Sequence, residues 1–393
     1  MFEDFKTAKI EYRPMVVAVG NAHETVISRD DFAASFAEIT AWNGYAPTPL
    51  YALTDLAKSL NLGDILYKDE GPRFGLGSFK ALGGSYAGLR ILQRELTKRL
   101  GEAVTLADIR KGVYADEVAK ITLASATDGN HGRSLAWGAG RFGAPCQIYI
   151  HRDVSEGRAQ AMRDLGATVT RVDGDYDASV DDVRRDADAN GWFIVSDTSW
   201  EGYTQPPTDV MAGYGVMVDE IVQELDTPPS HVFLQGGVGG LAAGVVAGLR
   251  QHWGDKAPRV VVVEPELAAC LFESAKAGVA TNVVIEEETL MAGLSCGEPS
   301  PLAWKILREN AQDFLTIPES LVAPAMRLAG RPMGDDPSIV AGESAVAGLA
   351  AVIAGASQDD LREKLGLNEM SRVLVIGSEG ATDPEIYEQL MAG

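Results

Sequence analysis

The sequence predicts an α/β protein of two lobes, each an open, mostly parallel, twisted sheet flanked by helices. Short β-branched runs alternate with helical segments of ten or more residues, which is typical of parallel strands joined by crossover helices. Glycine makes up 42 of the 393 residues, more than the ordinary frequency of about 7%, and many glycines directly follow a predicted strand. No stretch resembles a linker, which predicts that the chain enters each lobe more than once.

The predicted elements define the expected domains. Strands are predicted over 64–69, 121–127, 146–151, 168–172, 192–197, 231–234, 259–264 and 372–376. Helices are predicted over 156–165, 178–190, 210–225, 241–253 and 343–356. We expect a large domain of residues 1–84 and 200–393 and a smaller α/β domain of residues 85–199. Because ligands bind at the carboxyl ends of strands in such sheets, we expect the functional residues on the loops that follow the strands.

The charge of the chain excludes several classes of function. The chain has 34 Lys and Arg residues and 56 Asp and Glu residues, which gives a net charge of −22. A surface this acidic repels nucleic acid and anionic membranes. No apolar run approaches the ~20 residues of a membrane span, and the amino-terminal stretch is acidic where a signal peptide is basic. We therefore expect a cytoplasmic protein that binds neither nucleic acid nor membrane.

Cysteine is too sparse to indicate a metal site. Cys146, Cys270 and Cys296 are scattered and lack the paired spacing of zinc ligands. No metal is therefore expected, and the three side chains are expected to be thiols, with pairing of Cys270 and Cys296 left open.

Two of the strand-end loops carry ionisable side chains. After the first predicted strand the chain reads EGPRFGLGSFK, in which Ser78 is a candidate N-cap and Lys80 falls in the first helical turn. The positive end of a helix dipole disfavours a cation there, so Lys80 is either a surface lysine or an uncharged amine that serves as a Schiff-base nucleophile. The second predicted strand is followed by Asp128, Gly129 and Asn130, a tight turn that also holds a carboxylate and an amide.

The third loop is the richest in glycine. It consists of Gly236, Gly237, Val238, Gly239 and Gly240. Such a loop turns backbone N–H groups toward an anion at a helix N-terminus and indicates a phosphate site. The dinucleotide pattern G-x-G-x-x-A also begins at Gly237, and the next strand ends in Glu264, where a ribose-binding acid would lie. The spacing alone therefore leaves a nicotinamide enzyme open. A fourth strand-end loop offers the neutral hydroxyl of Ser378.

Taken together and in this order, the four loops resemble those of the tryptophan-synthase-β-like, or fold type II, family of pyridoxal-phosphate enzymes. The run Ser-Phe-Lys at 78–80 matches the family's lysine motif, and Gly-Asn-His at 129–131 matches its asparagine loop. Val238 departs from the tetraglycine loop, and Glu379 and Ala381 depart from the Ser-Gly-Gly-Asn loop. The resemblance extends over roughly residues 40 to 385.

The resemblance implies pyridoxal 5′-phosphate as the cofactor, bound in the cleft between the two lobes. Lys80 would form the Schiff base with it, and Asn130 would donate to its phenolic oxygen. The loop 236–240 would bind its phosphate, and Ser378 would contact its pyridine nitrogen. The resemblance also implies a homodimer.

Asp128 narrows the resemblance to one branch of the family. Serine and threonine dehydratases carry a serine there, whereas DGNHG at 128–132 and DTSWEGY at 197–203 are similar to the ammonia-lyases that act on 2,3-diaminopropionate. This implies α,β-elimination to pyruvate and two ammonia through 2-aminoacrylate, with Asp128 and Asp197 as bases on opposite faces of the substrate. The alternative to a catalytic role for Asp197 is that it only caps a helix or pairs with an Arg or Lys side chain. The alternative function for the enzyme is that of a serine, threonine or other β-substituted amino acid ammonia-lyase.

Overall fold

The computed structural model describes residues 2–17, 20–127 and 129–393, and the chain divides into two compact units. Unit 1 comprises Met1–Arg29, Pro47–Ser78 and Met217–Gly393, and unit 2 comprises Asp30–Ala46 and Phe79–Val216. The smaller domain expected over 85–199 lies inside unit 2, which extends beyond it at both ends and also takes in the segment before Pro47. That segment belongs to unit 2 because the Ser35 hydroxyl donates to the Ala212 carbonyl at 2.7 Å.

The strands, numbered in chain order, are β1 (Glu11–Pro14), β2 (Leu50–Ala52), β3 (Asp64–Asp69), β4 (Leu123–Ala126), β5 (Cys146–Ile150), β6 (Thr168–Arg171), β7 (Phe193–Ile194), β8 (His231–Gln235), β9 (Arg259–Pro265), β10 (Asp313–Ile317) and β11 (Arg372–Gly377).

The α-helices are α1 (Glu3–Thr7), α2 (Ala22–Thr25), α3 (Arg29–Ile39), α4 (Thr54–Ser59), α5 (Lys80–Leu100), α6 (Leu106–Arg110), α7 (Ala115–Val118), α8 (Asn130–Phe142), α9 (Glu156–Asp164), α10 (Tyr176–Asn190), α11 (Gln205–Glu224), α12 (Gly240–Trp253), α13 (Cys270–Ala277), α14 (Pro301–Asn310), α15 (Val322–Gly330), α16 (Ala347–Ser357), α17 (Asp359–Leu365) and α18 (Pro384–Met391). None of the helices in the described ranges is both long and apolar enough to cross a membrane.

Unit 1 is built on a seven-stranded sheet of order β1-β10-β9-β8-β11-β3-β2. Its five inner strands are parallel, and the two short edge strands β1 and β2 run antiparallel to their neighbours. The inner strands read as continuous apolar runs, such as VVVV in β9, because helices cover both faces of the sheet. Helix α16 is apolar on every side and its residues from Ala347 to Ala356 are buried, so it lies within the core of unit 1.

Unit 2 is built on a four-stranded parallel sheet of order β6-β5-β4-β7. Helices α5 and α8 pack closely against each other within it. The Ser85 N–H donates to the Ser134 hydroxyl at 3.0 Å, and the Ser85 hydroxyl donates to the Ser134 carbonyl at 2.7 Å. A methyl group at Gly138 would lie 2.7 Å from the Ser85 Cα. The run of small residues after Lys80 is therefore required by the close packing of these two helices.

These two sheets confirm the predicted α/β fold class. The prediction was wrong at 192–197, where only Phe193–Ile194 pair with β4 as a strand. The Val195 N–H still donates to the Ala124 carbonyl at 2.8 Å, after which the chain leaves the edge of the sheet. Asp197 consequently lies on a loop just beyond the carboxyl end of β7.

Candidate active site

Lys80 is the first residue of the 21-residue helix α5. This confirms the prediction that Lys80 lies in the first turn of a helix. The prediction of Ser78 as N-cap was wrong, because Phe79 occupies that position and no side chain caps the helix. The backbone of Ser78 is instead paired with Glu379 in an isolated antiparallel bridge, so the chain becomes helical later. With the helix dipole opposing a cation at this end, the charge of Lys80 is stabilised by a direct ion pair with the Asp197 carboxylate.

Asp197 is held in its ionised form by its neighbours. Burial raises the pKa of this carboxyl group, but the Lys80 ammonium and His131 outweigh that effect and bring the pKa well below its ordinary value. The side chains of Lys80 and Asp197 are each 20% exposed, so the pair is partly shielded from water without being sealed off. An amine and a carboxylate in direct contact can exchange a proton, which is what acid–base chemistry at a substrate carbon requires.

His131 lies on the other side of Asp197. Its Nδ1 is 3.9 Å from Asp197 Oδ2, and its Nε2 is 2.9 Å from the Val195 carbonyl oxygen. Burial lowers the pKa of His131, and the Asp197 carboxylate opposes that shift. His131 Nε2 carries a proton and donates to Val195, because a carbonyl oxygen can only accept. His131 belongs to the asparagine-loop motif at 129–131, and no role was predicted for it.

The turn that carries Asn130 is held by Thr127. The Thr127 hydroxyl oxygen accepts the N–H groups of Gly129 and Gly132, each at 3.3 Å. Asn130 begins α8 at this turn. Asp128, the predicted second base, lies outside the described residues.

Tyr214 is a residue near the lysine that sequence reasoning missed. Its ring packs on Phe79 with the centroids 4.7 Å apart, and a methyl group at Gly83 would lie 2.5 Å from its Cε1 atom. Burial raises the pKa of the Tyr214 phenol, and the nearby Lys80 ammonium opposes that rise. The apolar pattern of α11 offers no signal that its tyrosine lies beside this lysine, because the pairing depends on how α11 packs on α5.

In unit 1, the glycine loop 236–240 joins β8 to the N-terminus of the 14-residue helix α12. The Gly236 N–H donates to the Val263 carbonyl at 2.9 Å, and the Gly239 N–H donates to the Gly236 carbonyl at 3.1 Å. Within the described part of the chain, the N–H groups of Gly237, Val238 and Gly240 have no acceptor. Gly239 has φ = +96°, which L side chains rarely adopt. Free N–H groups at a helix N-terminus form a suitable site for a phosphate.

Glu264 supports this loop from beneath. A methyl group at Gly236 would lie 2.4 Å from Glu264 Cγ, so the two residues are in close contact. The Glu264 carboxylate accepts the N–H groups of Leu271 at 3.1 Å and Phe272 at 2.7 Å, and its side chain is 0% exposed. Burial raises the pKa of Glu264 to about 8. A carboxyl group enclosed in this way cannot reach a ribose, so the nicotinamide alternative was wrong.

Ser378 follows directly after β11, which is the neighbour of β8 in the sheet of unit 1. The Gln235 amide joins the two strand ends, donating to the Ile376 carbonyl at 2.6 Å and to the Ala345 carbonyl at 3.0 Å. Unit 1 therefore brings Ser378 and the loop 236–240 to the carboxyl ends of adjacent parallel strands. Glu379, a departure from the family pattern, accepts the Ser344 N–H at 3.2 Å and so holds the segment before α16.

Buried charges fix the stretch of unit 1 that leads to Lys80. The Arg73 guanidinium, 1% exposed, donates to both carboxylate oxygens of Glu70 at 2.7 and 2.8 Å and to both of Glu220 at 2.7 and 2.8 Å. Lys68 donates to Glu220 as well, at 2.6 Å. Two bidentate pairs on one arginine give the loop after β3 a single geometry.

The residues present fit a phosphorylated aldehyde cofactor. Unit 1 offers unclaimed N–H groups for a phosphate at the loop 236–240, and unit 2 offers the amine of Lys80 for an aldehyde carbon, beside the carboxylate of Asp197.

The chain belongs to the family of pyridoxal-phosphate dependent enzymes, whose sequence profile matches residues 41–379. Pyridoxal phosphate is its cofactor, as the resemblance of the four loops implied. The chain is similar to diaminopropionate ammonia-lyase of Escherichia coli strain K12, with 41% identity and 88% of each chain covered. The enzyme of the same name from Salmonella typhimurium strain LT2 is 37% identical, again with 88% of each chain covered. The crystal structure of the holo Escherichia coli enzyme matches with a TM-score of 0.88 and 36% identity, covering 98% of this chain and 97% of that one.

Proposed function

We propose that this chain catalyses the α,β-elimination of 2,3-diaminopropionate. Loss of the α-proton and of the β-amino group gives 2-aminoacrylate and one ammonia, and water then hydrolyses the imine tautomer of 2-aminoacrylate to pyruvate and a second ammonia. The contact of the Lys80 amine with the Asp197 carboxylate carries this proposal, and the activity of the similar enzymes supports it.

Bound pyridoxal phosphate supplies an electron sink for the negative charge that develops at the substrate α-carbon. Lys80 would hold the aldehyde carbon of the cofactor, and Asn130 would donate to the phenolic oxygen. The N–H groups of the loop 236–240 would bind the phosphate. The neutral Ser378 hydroxyl would leave the ring nitrogen unprotonated, which would limit the strength of the sink and favour prompt elimination.

The charge state of Lys80 controls the basicity of Asp197. While Lys80 is an ammonium ion, its charge keeps the Asp197 carboxyl group a weak base. When Lys80 is neutral, that charge is gone, and the burial of Asp197 raises its proton affinity. Asp197 therefore becomes a stronger base at the stage at which Lys80 no longer carries a positive charge.

The positive charge of the proposed substrate explains why the site would contain carboxylates. The β-ammonium group of 2,3-diaminopropionate is attracted by carboxylates, which orient it for departure as ammonia. We assign the two bases to Asp128 and Asp197, acting on opposite faces of the α-carbon, which allows a proton to be removed from either enantiomer.

The test is a steady-state assay of the purified holoenzyme on 2,3-diaminopropionate, serine, threonine and hydroxyaspartate. We expect diaminopropionate to have the highest kcat/KM and to yield two ammonia for each pyruvate. A higher kcat/KM with serine or threonine, or one ammonia for each pyruvate, would contradict the proposed substrate. Lys80→Ala is expected to abolish turnover, and Lys305→Ala, which changes an exposed lysine of α14, is expected to retain it.

We further propose that the protein is a homodimer and acts in the cytoplasm. The resemblance to the family supports the dimer. The cytoplasmic location is supported by the sparseness of cysteine, three residues in 393, since secreted proteins are commonly stabilised by disulfides. Cell fractionation followed by immunodetection tests the location, and recovery from a periplasmic or secreted fraction would contradict it.

A further inference from the structure

Unit 2 contains a cavity that includes none of the residues assigned to the cofactor or substrate. Its volume is about 580 Å³, within the range of roughly 300–1,000 Å³ that is typical of small-molecule sites. It is bounded by α5, α10, the edge strand β7 and the segment 200–206.

Aromatic rings form much of the wall of this cavity. Trp192, Trp200 and Tyr203 all line it. The rings of Trp200 and Tyr203 are stacked, with centroids 3.9 Å apart and planes at 8°. The guanidinium carbon of Arg184 lies 4.5 Å from the Trp200 ring centroid. A planar ring is the ligand group that such a wall binds best, since it can stack on indole or guanidinium.

The charges of the cavity favour an anion. Its cations are Arg94, Lys98 and Arg184, and its acids are Glu95 and Asp188. Arg94 is paired with a buried aspartate outside the cavity, and the Glu95 carboxylate already accepts from an arginine of the same helix. Within the described part of the chain, Lys98 and Arg184 have no carboxylate partner. Two uncompensated cations against the single exposed Asp188 make this a locally basic site on a chain of net charge −22.

The wall of the cavity is also joined to the loop that carries Asp197. The Tyr203 hydroxyl donates to the Ile194 carbonyl at 2.9 Å and accepts the Ser196 N–H at 3.0 Å. Ser196 directly precedes Asp197 in the chain. A ligand that stacks on the wall and shifts Tyr203 therefore acts on the backbone next to the carboxylate that contacts Lys80.

We propose that this cavity is an effector site for a small organic anion that carries a planar ring. A nucleoside monophosphate and an aromatic carboxylate share this chemistry, and the experiment distinguishes them. The ring stacks on Trp192, and Lys98 and Arg184 bind the anionic group. Occupancy changes the kinetics of the proposed elimination through Tyr203, whereas binding itself does not depend on that function.

The test titrates the holoenzyme, whose phosphate loop is filled by its cofactor, with adenosine 5′-monophosphate in one arm and benzoate in the other. Binding is measured by isothermal titration calorimetry and by tryptophan fluorescence. We expect saturable binding of at least one probe, weakened at least about tenfold by Arg184→Ala or Lys98→Ala, as loss of a charge-assisted contact predicts. Saturation with that probe should change kcat or KM by at least about twofold.

Arg185→Ala is the matched control. Arg185 is the next residue of α10, is exposed, pairs with Asp182 and Asp186, and does not line the cavity. Binding in the Arg185→Ala protein should equal that of the unmodified protein. Three results would overturn the proposal: no saturable binding of either probe up to about 10 mM, a value weaker than ordinary ligand affinities; equal effects of Arg184→Ala and Arg185→Ala; or binding that leaves both kcat and KM unchanged.

Discussion

At Asp197 two opposing effects act on a single carboxyl group. Burial raises its pKa, as it does for any carboxylate that loses water, and the adjacent Lys80 ammonium and His131 together lower it by more. His131 Nδ1 lies 3.9 Å from the same carboxylate. The three side chains therefore form a group in which the charge of one determines the proton affinity of the next.

Asp197→Asn removes a proposed base while it keeps the size of the side chain. We expect kcat to fall by ~10²–10⁴, the effect typical of an acid–base residue, with one enantiomer of 2,3-diaminopropionate affected more strongly than the other. Asp128→Asn is expected to show the reverse preference. The measurement is the steady-state rate on each pure enantiomer.

The control for both substitutions is Asp181→Asn, which changes an exposed aspartate of α10 and should leave both rates unchanged. If neither Asp128→Asn nor Asp197→Asn lowers turnover of either enantiomer by more than about tenfold, well short of an acid–base effect, the assignment of the two bases fails.

At the scale of secondary-structure elements, β8, β9 and α12 together position the glycine loop 236–240. The loop leaves β8, rests on Glu264 at the end of β9, and begins α12. Within the described residues, the N–H groups of Gly237, Val238 and Gly240 remain free for a phosphate. The turn at Gly236 lies against the Glu264 side chain, where only glycine fits.

Gly236→Ala tests this contact. The added methyl group would lie 2.4 Å from Glu264 Cγ and 3.0 Å from Glu264 Cδ, so the loop must shift and its phosphate contacts weaken. We expect the dissociation constant of pyridoxal phosphate to rise at least about tenfold, the loss of one charge-assisted contact, as measured by absorbance titration of the apoprotein. Gly157→Ala in α9, where nothing lies within 4 Å of the new methyl group, should leave that constant unchanged.

Glu264 also makes the stability of unit 1 depend on pH. Its pKa is about 8 in the folded protein, against an ordinary value of 4.5. Because the folded state holds a proton that the unfolded chain releases, the stabilisation is complete below pH 4.5 and is lost as the pH rises to about 8. Glutamine is neutral at every pH, so the Glu264→Gln substitution removes this pH-dependent loss of stability.

We therefore expect the urea midpoint of the Glu264→Gln protein to improve relative to the unmodified protein between about pH 5 and pH 9, the interval that spans the titration. Glu266→Gln, a change of an exposed neighbour just beyond the same strand, should show no such trend. A difference between the Glu264→Gln and unmodified proteins that is constant with pH would contradict the protonated state of Glu264.

At the scale of the whole molecule, the net charge of −22 acts on association. Two chains of this charge repel each other, and salt screens that repulsion. The dissociation constant of the proposed homodimer should therefore fall as the salt concentration rises.

Light scattering coupled to size exclusion measures this directly. We expect a mass twice the chain mass of 41.8 kDa at micromolar protein concentration, with the dimer fraction at low protein concentration increasing with salt. A mass of one chain at micromolar concentration would contradict the homodimer.

Much of the fold and part of the site could be predicted because the signals are local. The strand over 64–69 and the helix that follows the glycine loop are specified by short runs of residue type, which local propensity and pattern reveal. The place of Lys80 at the start of a helix was predicted on the same ground. The edge strands β1 and β2 were missed because runs of four and three residues carry too little pattern.

By itself, the sequence determined the α/β class, the four strand-end loops and the residue types that suit pyridoxal phosphate, since each of these depends on neighbours along the chain. Only the tertiary structure decided which side chains meet. Asp197 contacts Lys80 across 117 positions of sequence, Tyr214 reaches the same helix from α11, and Glu264 lies under the glycine loop instead of facing a ribose. Packing and proton affinity depend on distance through space, and residues far apart in a sequence carry no local sign of the distance that folding leaves between them.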